Sequence, residues 1–280
     1  MSYLKSVDWL KDLMEQKVLQ FVIVDVRFSL GDPTAGRKSY LNGHIPGAVY
    51  LDLDQDLSSV VGQHGGRHPL PNIDELCNKL GEIGIDQSTY VIIYDDQDGM
   101  FAARLWWQLR YLGHTNTYIL NGGYSKWVQA GLDQTTDIPQ YEKRTFHPAL
   151  LSDEIMYMED VKNRLHHENV LLIDSRERTR YLGEEEPIDK RAGHIPGAIN
   201  YFWKEAITES GEWKTKNDLQ KHFSSVPKEK EIIVYCGSGV SACPNILALH
   251  EAGYQNVKLY AGSWSDWISY PENEIALGEE

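Results

Sequence analysis

The sequence is poor in cysteine and in basic residues. Its 280 residues include three cysteines, Cys77, Cys236 and Cys243. A small, odd number of cysteines argues against a disulfide-stapled scaffold and suits a reducing compartment. Lys and Arg total 27 against 41 Asp and Glu, so the formal net charge is −14. Because so acidic a surface repels phosphate backbones and anionic lipids, we expect neither a nucleic acid nor a membrane as partner.

Long apolar runs are also lacking. Stretches such as Phe21–Val24 and Val91–Tyr94 are of strand length and far too short to cross a bilayer. The N-terminal stretch carries charges at Lys5 and Asp8, and no apolar block follows that would serve as a signal peptide. We therefore expect a cytoplasmic protein.

The chain contains an internal repeat. The hexapeptide Gly43–Ala48, GHIPGA, recurs unchanged as Gly193–Ala198. Three further landmarks recur in the same order, at separations of 140 to 149 residues: Val24–Arg27 with Ile173–Arg176, Val91–Tyr94 with Ile232–Tyr235, and Gly122–Trp127 with Gly262–Trp267. A repeat of this length predicts two homologous domains, 1–138 and 150–280, joined by a polar linker around Asp133–Pro148.

Each half alternates short β-branched runs with longer stretches of helical spacing. This alternation predicts an α/β domain with a mostly parallel sheet flanked by helices, whose ligands bind beyond the carboxyl ends of the strands. The predicted strands are Phe21–Val26, Val91–Tyr94, Val170–Ile173 and Glu231–Tyr235, and the clearest helices are Phe101–Leu112 and Ala242–Ala252.

The two halves differ in the loop that follows the matched strand. The second loop, Cys236–Ser241, opens with a cysteine and has two glycines, whereas the first, Asp95–Phe101, opens with two aspartates. Glycines allow a tight turn, and the N–H groups at the start of the next helix face back into it. A thiol held there ionises more readily than a free one, so we expect Cys236 to be a nucleophile rather than a small core residue.

These features resemble the tandem-domain rhodanese-like sulfurtransferases over nearly the whole chain, from Asp25 to Trp267. The loop C-G-S-G-V-S is similar to the C-G-S-G-V-T loop of the mercaptopyruvate branch. The resemblance implies a non-catalytic first domain and a catalytic second domain. The implied reaction moves sulfur from 3-mercaptopyruvate or thiosulfate, through a persulfide on Cys236, to a thiol or cyanide. It implies no cofactor, and the His and Cys residues show no metal-ligand spacing.

The resemblance also implies substrate-binding residues. Arg180 lies in a segment similar to the one that supplies the family's substrate-binding arginine, and a guanidinium suits carboxylate or sulfonate oxygens. A second arginine is expected further on, where Lys190 or Arg191 could take its place. The remaining contacts are expected from the backbone of the loop itself, at Gly237, Gly239, Val240 and Ser241.

A proton relay is a further implication of the resemblance. Some mercaptopyruvate enzymes carry a serine–histidine–aspartate relay, to which Ser238, His44 and Asp32 would correspond. Because His194 has the same local sequence as His44, the GHIPGA motif also fits a purely structural turn. Cys243 could be a redox partner of the nucleophile, but a buried helix cysteine is the better interpretation.

Alternatives remain at this stage. Neutral Gly237 and Ser238 favour 3-mercaptopyruvate over thiosulfate, whose enzymes carry Arg and Lys after the cysteine. The acceptor is expected to be a small thiol or a thioredoxin-like protein. A protein-to-protein sulfur relay with little small-molecule turnover is the alternative. A cysteine phosphatase is disfavoured, because its Cys-x5-Arg loop would need an arginine where Ala242 stands.

Overall fold

The computed structural model describes residues 2–16 and 20–279. The chain divides into two compact units, and each includes one short segment from the other half of the sequence. Unit 1 contains the chain up to Ser59, Leu70–Leu151 and Glu209–Trp213. Unit 2 contains Val60–Pro69, Ser152–Thr208 and the chain from Lys214 onward. The sequence-based division into 1–138 and 150–280 does not anticipate the two exchanged segments, because neither carries a repeat landmark.

Unit 1 is built on a five-stranded parallel sheet with strand order β1-β5-β4-β2-β3. Its β-branched and aromatic strands are almost wholly buried, as expected for a parallel sheet covered on both faces. The strands are β1 Leu4–Lys5, β2 Phe21–Asp25, β3 Ala48–Tyr50, β4 Tyr90–Tyr94 and β5 Thr117–Leu120. The helices are α1 Val7–Gln16, α2 Ala35–Asn42, α3 Ile73–Glu82, α4 Met100–Tyr111 and α5 Gly123–Gln129.

Unit 2 repeats this topology, with order β6-β10-β9-β7-β8. Its strands are β6 Ile155–Met156, β7 Val170–Asp174, β8 Ala198–Asn200, β9 Glu231–Tyr235 and β10 Val257–Tyr260. Its helices are α6 Met158–Lys162, α7 Arg178–Leu182, α8 Lys216–His222, α9 Ala242–Ala252 and α10 Ser263–Trp267, with short 3₁₀ turns at Ser152–Glu154 and Trp203–Ala206. The identical strand order confirms the predicted α/β architecture of two homologous domains.

Buried ion pairs recur at the same place in both sheets. Arg27 lies 2.6 Å from Asp25 in unit 1, and Arg176 lies 2.6 Å from Asp174 in unit 2. Each arginine also donates to the carbonyl of the glycine that opens the GHIPGA motif. Because a buried guanidinium needs several acceptors, this duplication indicates a structural role.

The helices are short. Within residues 2–16 and 20–279, none is long and apolar enough to cross a membrane.

Candidate active site

The cysteine loop of unit 2 is held by the first turn of α10. The N–H of Cys236 donates to the Ser263 hydroxyl at 3.1 Å, and the Cys236 carbonyl accepts from the Trp264 N–H at 2.9 Å. Ser263 has a positive φ of 56°, and its hydroxyl donates a hydrogen bond to the Tyr260 carbonyl at 2.9 Å. These bonds fix the backbone of Cys236 where β9 ends.

The sulfur of Cys236 faces the backbone of its own loop. The N–H of Gly239 donates to Sγ at 3.2 Å, and Gly239 has a φ of 80° that favours glycine. Cys236 is 1% exposed, so this donor lies in a largely water-excluded environment. There an N–H directed at sulfur stabilises negative charge on it. The predicted Val240 and Ser241 complete the turn, with Ser241 at the N-terminus of α9.

The matching loop of unit 1 already contains an anion. Asp95, at the end of β4, is 1% exposed. Its Oδ1 accepts the N–H groups of Gln97 and Gly99, both at 2.9 Å, and its Oδ2 accepts those of Phe101 at 2.8 Å and Ala102 at 2.9 Å. Burial raises the pKa of Asp95 to about 6, while these N–H donors lower it. Four backbone N–H donors therefore converge on one carboxyl group in the strand-to-helix loop of unit 1.

Two guanidinium groups lie beside Gly237, the residue after the cysteine. A Cβ built on Gly237 would lie 2.8 Å from Nη2 of Arg67 and 3.6 Å from Nη2 of Arg180. Asp189 contacts both arginines, with its Oδ2 3.1 Å from Arg180 and its Oδ1 paired with Arg67. The structure thus brings the predicted Arg180 to the loop and adds Arg67.

Sequence reasoning missed Arg67. The residues proposed in its place, Lys190 and Arg191, are both exposed. Lys190 lines a cavity of about 520 Å³ that Arg67 and Asp189 also line, and Arg191 contributes its carbonyl to the indole N–H of Trp264 at 2.9 Å. The only signal for Arg67 in the sequence is a cation within a glycine- and histidine-rich stretch.

The segment that carries Arg67 belongs to unit 2 although it lies within the first repeat of the sequence. The N–H of Gly65 donates to Oδ1 of Asp266 at 2.7 Å, and the N–H of Arg67 donates to the hydroxyl of Ser265 at 3.1 Å. Because Asp266 and Ser265 lie on α10, the helix that braces the cysteine also anchors this segment.

The hydroxyl of Ser238 pairs with a histidine other than the expected one. Nδ1 of His68 lies 2.8 Å from Oγ of Ser238. Nδ1 of His44 lies 2.7 Å from the Tyr40 carbonyl and its Nε2 lies 3.1 Å from the Asp137 carbonyl. Both ring nitrogens of His44 are therefore occupied by backbone groups of unit 1.

The GHIPGA histidines have one role in both units. His44 stacks on Tyr40, and His194 stacks on Tyr181, each with ring centroids 3.9 Å apart. Nδ1 of His194 lies 2.8 Å from the Tyr181 carbonyl, as in the first copy. These contacts support a structural turn for the motif, and the histidine that lies against the Ser238 hydroxyl is His68.

Asp32 has a local partner. Its Oδ1 accepts the N–H and the hydroxyl of Thr34 at 2.9 and 2.7 Å, and Lys38 lies 3.8 Å away. The hydroxyl of Thr34 lowers the pKa of the exposed Asp32 carboxyl. These contacts close a local turn just before α2, and the place of Asp32 in a relay stays a prediction.

The other two cysteines are packed in helices. Cys243 is fully buried in the first turn of α9 and donates its S–H to the Gly239 carbonyl at 3.3 Å. Cys77 is buried in α3, and this burial raises the pKa of its thiol. Burial in a helix is typical of structural cysteines. In the part of the chain that the structure describes, no group of three or more His, Cys, Asp or Glu could hold a metal ion.

Comparisons with known proteins identify the family of this chain. The family model of the rhodanese-like domain matches residues 6–130 and 157–270. A Pseudomonas aeruginosa protein named "Probable 3-mercaptopyruvate sulfurtransferase" is 39% identical over 92% of this chain and 93% of its own length. The 3-mercaptopyruvate sulfurtransferase of Escherichia coli K12 is 36% identical over 94% of this chain and 93% of its own. The thiosulfate sulfurtransferase of Bos taurus is 32% identical over 87% of this chain and 84% of its own.

A solved structure extends the likeness to three dimensions. The crystal structure of a 3-mercaptopyruvate sulfurtransferase from Escherichia coli superposes with a TM-score of 0.83 at 34% identity, covering 95% of this chain and all of the other. Sequence, fold and family model therefore agree, and this chain belongs to the rhodanese-like sulfurtransferases, enzymes that transfer sulfur.

Proposed function

We propose that this sulfurtransferase carries the transferred sulfur on Cys236 and takes it from 3-mercaptopyruvate in preference to thiosulfate. The observation that carries the proposal is the sulfur of Cys236 facing the Gly239 N–H, with Arg67 and Arg180 beside the next residue. A nucleophile, an oriented donor and two anion-binding groups are the parts that covalent sulfur transfer from an anion requires.

In the first half-reaction, the Cys236 thiolate attacks the terminal sulfur of the donor. With 3-mercaptopyruvate the carbon–sulfur bond breaks, a sulfur–sulfur bond forms, and the electron pair leaves on the enolate of pyruvate. That enolate takes a proton at carbon, and the donor's own thiol gives up a proton, so protons balance. With thiosulfate the sulfur–sulfur bond breaks and sulfite leaves, without a proton transfer.

In the second half-reaction, an acceptor thiolate attacks the outer sulfur of the Cys236 persulfide. A new sulfur–sulfur bond forms on the acceptor, the bond between the outer sulfur and Sγ of Cys236 breaks, and its electron pair restores the Cys236 thiolate. The N–H of Gly239 stabilises negative charge on Cys236 as attacking group in the first half-reaction and as leaving group in the second.

Three features favour 3-mercaptopyruvate. Gly237 and Ser238 add no charge to the loop. The pair formed by Ser238 and His68 offers a route for the proton that only this donor must move. Two of the relatives described above, from Pseudomonas aeruginosa and Escherichia coli, also carry this donor in their names. The guanidinium groups of Arg67 and Arg180 would bind its carboxylate and keto oxygens.

The acceptor that we propose is a thiol, either a small one or the cysteine of a thioredoxin-like protein. The alternative is a relay that passes sulfur only to one protein. Turnover with small thiols distinguishes the two hypotheses, because a relay protein would accept one sulfur atom and would not release it to a small thiol.

Mass spectrometry after a single addition of donor tests the proposal. The peptide that contains Cys236 should gain about 32 Da, the mass of one sulfur atom. Cys236→Ser should lose both this gain and turnover, while Cys243→Ser is the matched control and should keep both. Sulfur found on Cys243 or Cys77 instead, or turnover by Cys236→Ser, would contradict the assignment.

A further inference from the structure

The donor site contains a carboxylate where an anion has to bind. Asp189 lies between the two arginines beside the loop, with Oδ2 3.1 Å from Nη2 of Arg180 and Oδ1 paired with Nη1 of Arg67. Its side chain is 4% exposed, against 32% for Arg67 and 14% for Arg180. A buried negative charge this close to both cations weakens their attraction for any donor.

We propose that Asp189 is a specificity-determining residue that selects singly charged donors over doubly charged ones. The inference rests on the proposed function and adds a residue that discriminates between donors by their net charge. 3-Mercaptopyruvate carries one carboxylate charge at neutral pH, whereas thiosulfate is a dianion. A site that is nearly neutral overall therefore favours the first donor.

The charges around the arginines compensate one another. Glu186 binds Arg180 through two N–H groups, with Nη2 to Oε1 at 2.8 Å, and its Oε2 lies 3.2 Å from Arg176. The resulting chain of contacts alternates in sign and contains three cations and three carboxylates: Asp174, Arg176, Glu186, Arg180, Asp189 and Arg67. Removal of Asp189 would leave one uncompensated positive charge at the end nearest the loop.

The position of Asp189 does not depend on the arginines alone. Oε1 of Glu186 accepts the N–H groups of Ile188 at 3.1 Å and Asp189 at 3.0 Å, which closes a tight turn. Asparagine at position 189 would keep this turn, the side-chain shape and one carbonyl oxygen for an arginine. The substitution therefore changes charge far more than structure.

Charge and positioning have different effects on two donors. The interaction of a fixed charge with a ligand is proportional to the ligand's charge, so the logarithmic gain for thiosulfate should be twice that for 3-mercaptopyruvate. A loss of arginine positioning, in contrast, weakens the attraction for both donors and does so more for the dianion, so it lowers the ratio of thiosulfate to 3-mercaptopyruvate activity. A rise in the ratio of their kcat/KM values therefore reports the lost charge of Asp189, whereas a fall reports displaced arginines.

The experiment measures kcat/KM for both donors with full-length Asp189→Asn at low ionic strength. We expect the thiosulfate to 3-mercaptopyruvate ratio to rise about fivefold or more, and the rise to shrink in high salt. Glu185→Gln removes the same charge from an exposed side chain and should leave the ratio within about twofold. Asp189→Glu keeps the charge and should also keep the ratio.

An unchanged ratio in Asp189→Asn, or a shift toward 3-mercaptopyruvate, would overturn the inference. If Asp189→Asn does not fold, Asp189→Ser removes the same charge with a smaller side chain and is subject to the same criterion. The proposed function fails by a different result, namely no persulfide on Cys236 of the unaltered protein. The two failures are therefore distinguishable.

Discussion

A single methyl group at Gly237 would test whether Arg67 binds the donor. In Gly237→Ala the new Cβ would lie 2.8 Å from Nη2 of Arg67, well inside normal contact, but 3.6 Å from Arg180, which is ordinary van der Waals distance. The Arg67 side chain is 32% exposed and flexible, so its guanidinium should move away and the fold should persist. The substitution therefore displaces one of the two cations without removing it.

The expected loss follows from the interaction that Arg67 would give up. A hydrogen bond to a charged group contributes about 1.5–3 kcal/mol, which corresponds to a decrease of about 10- to 150-fold in kcat/KM for 3-mercaptopyruvate. Steady-state kinetics of pyruvate release measure this decrease. Gly31→Ala is the matched control, because a Cβ on Gly31 would meet nothing within 4 Å.

A double-mutant cycle separates displacement of Arg67 from damage to the loop. If the methyl group acts only through Arg67, the double variant Gly237→Ala with Arg67→Ala should be no slower than Arg67→Ala alone, within about twofold. Additive losses would show that the methyl group disturbs the cysteine loop itself. No loss in either single variant would refute a donor-binding role for Arg67.

Two further predictions concern the serine–histidine pair and the anion of unit 1. Ser238→Ala removes the hydroxyl that pairs with His68 and should lower kcat for 3-mercaptopyruvate by about 10-fold or more. The kcat for thiosulfate should not change, because this donor needs no proton transfer. Equal losses with both donors would argue against a relay. Asp95→Asn turns an amide group toward backbone N–H donors and should lower the midpoint of urea unfolding, at a cost of about 2–5 kcal/mol. Asp12→Asn, on an exposed face of α1, is its control, and equal midpoints in the two variants would contradict the prediction.

The loops that begin at Asp95 in unit 1 and at Cys236 in unit 2 direct backbone N–H groups at different side chains. In unit 1 the loop encloses the Asp95 carboxylate, which satisfies four N–H groups permanently. In unit 2 the corresponding position is a sulfur that accepts one N–H, from Gly239. A carboxyl group built into the loop keeps its N–H donors satisfied, whereas the sulfur that we propose as nucleophile would form and break bonds with a donor. Under the proposed function, this difference would account for unequal chemistry in two homologous domains.

Much of the fold could be predicted because its signals are local. Strands β2, β4, β7 and β9 coincide to within one residue with the β-branched runs of the sequence, and α9 begins and ends where predicted. Burial on both faces of a parallel sheet imposes such runs directly. The repeat then showed, without any structure, that Cys236 stands where the first copy has Asp95.

The contacts around that cysteine required the tertiary structure. His68 and Ser238 are 170 residues apart, and Arg67 and Asp189 are 122 apart. No periodicity links such positions, since they meet only when the segment Val60–Pro69 packs in unit 2. For the same reason the sequence analysis proposed His44, which lies within a recognisable motif, and did not consider His68, which lies in none. Local patterns in the sequence determined the scaffold and singled out Cys236 as the proposed nucleophile, while long-range packing decided which charges lie around it.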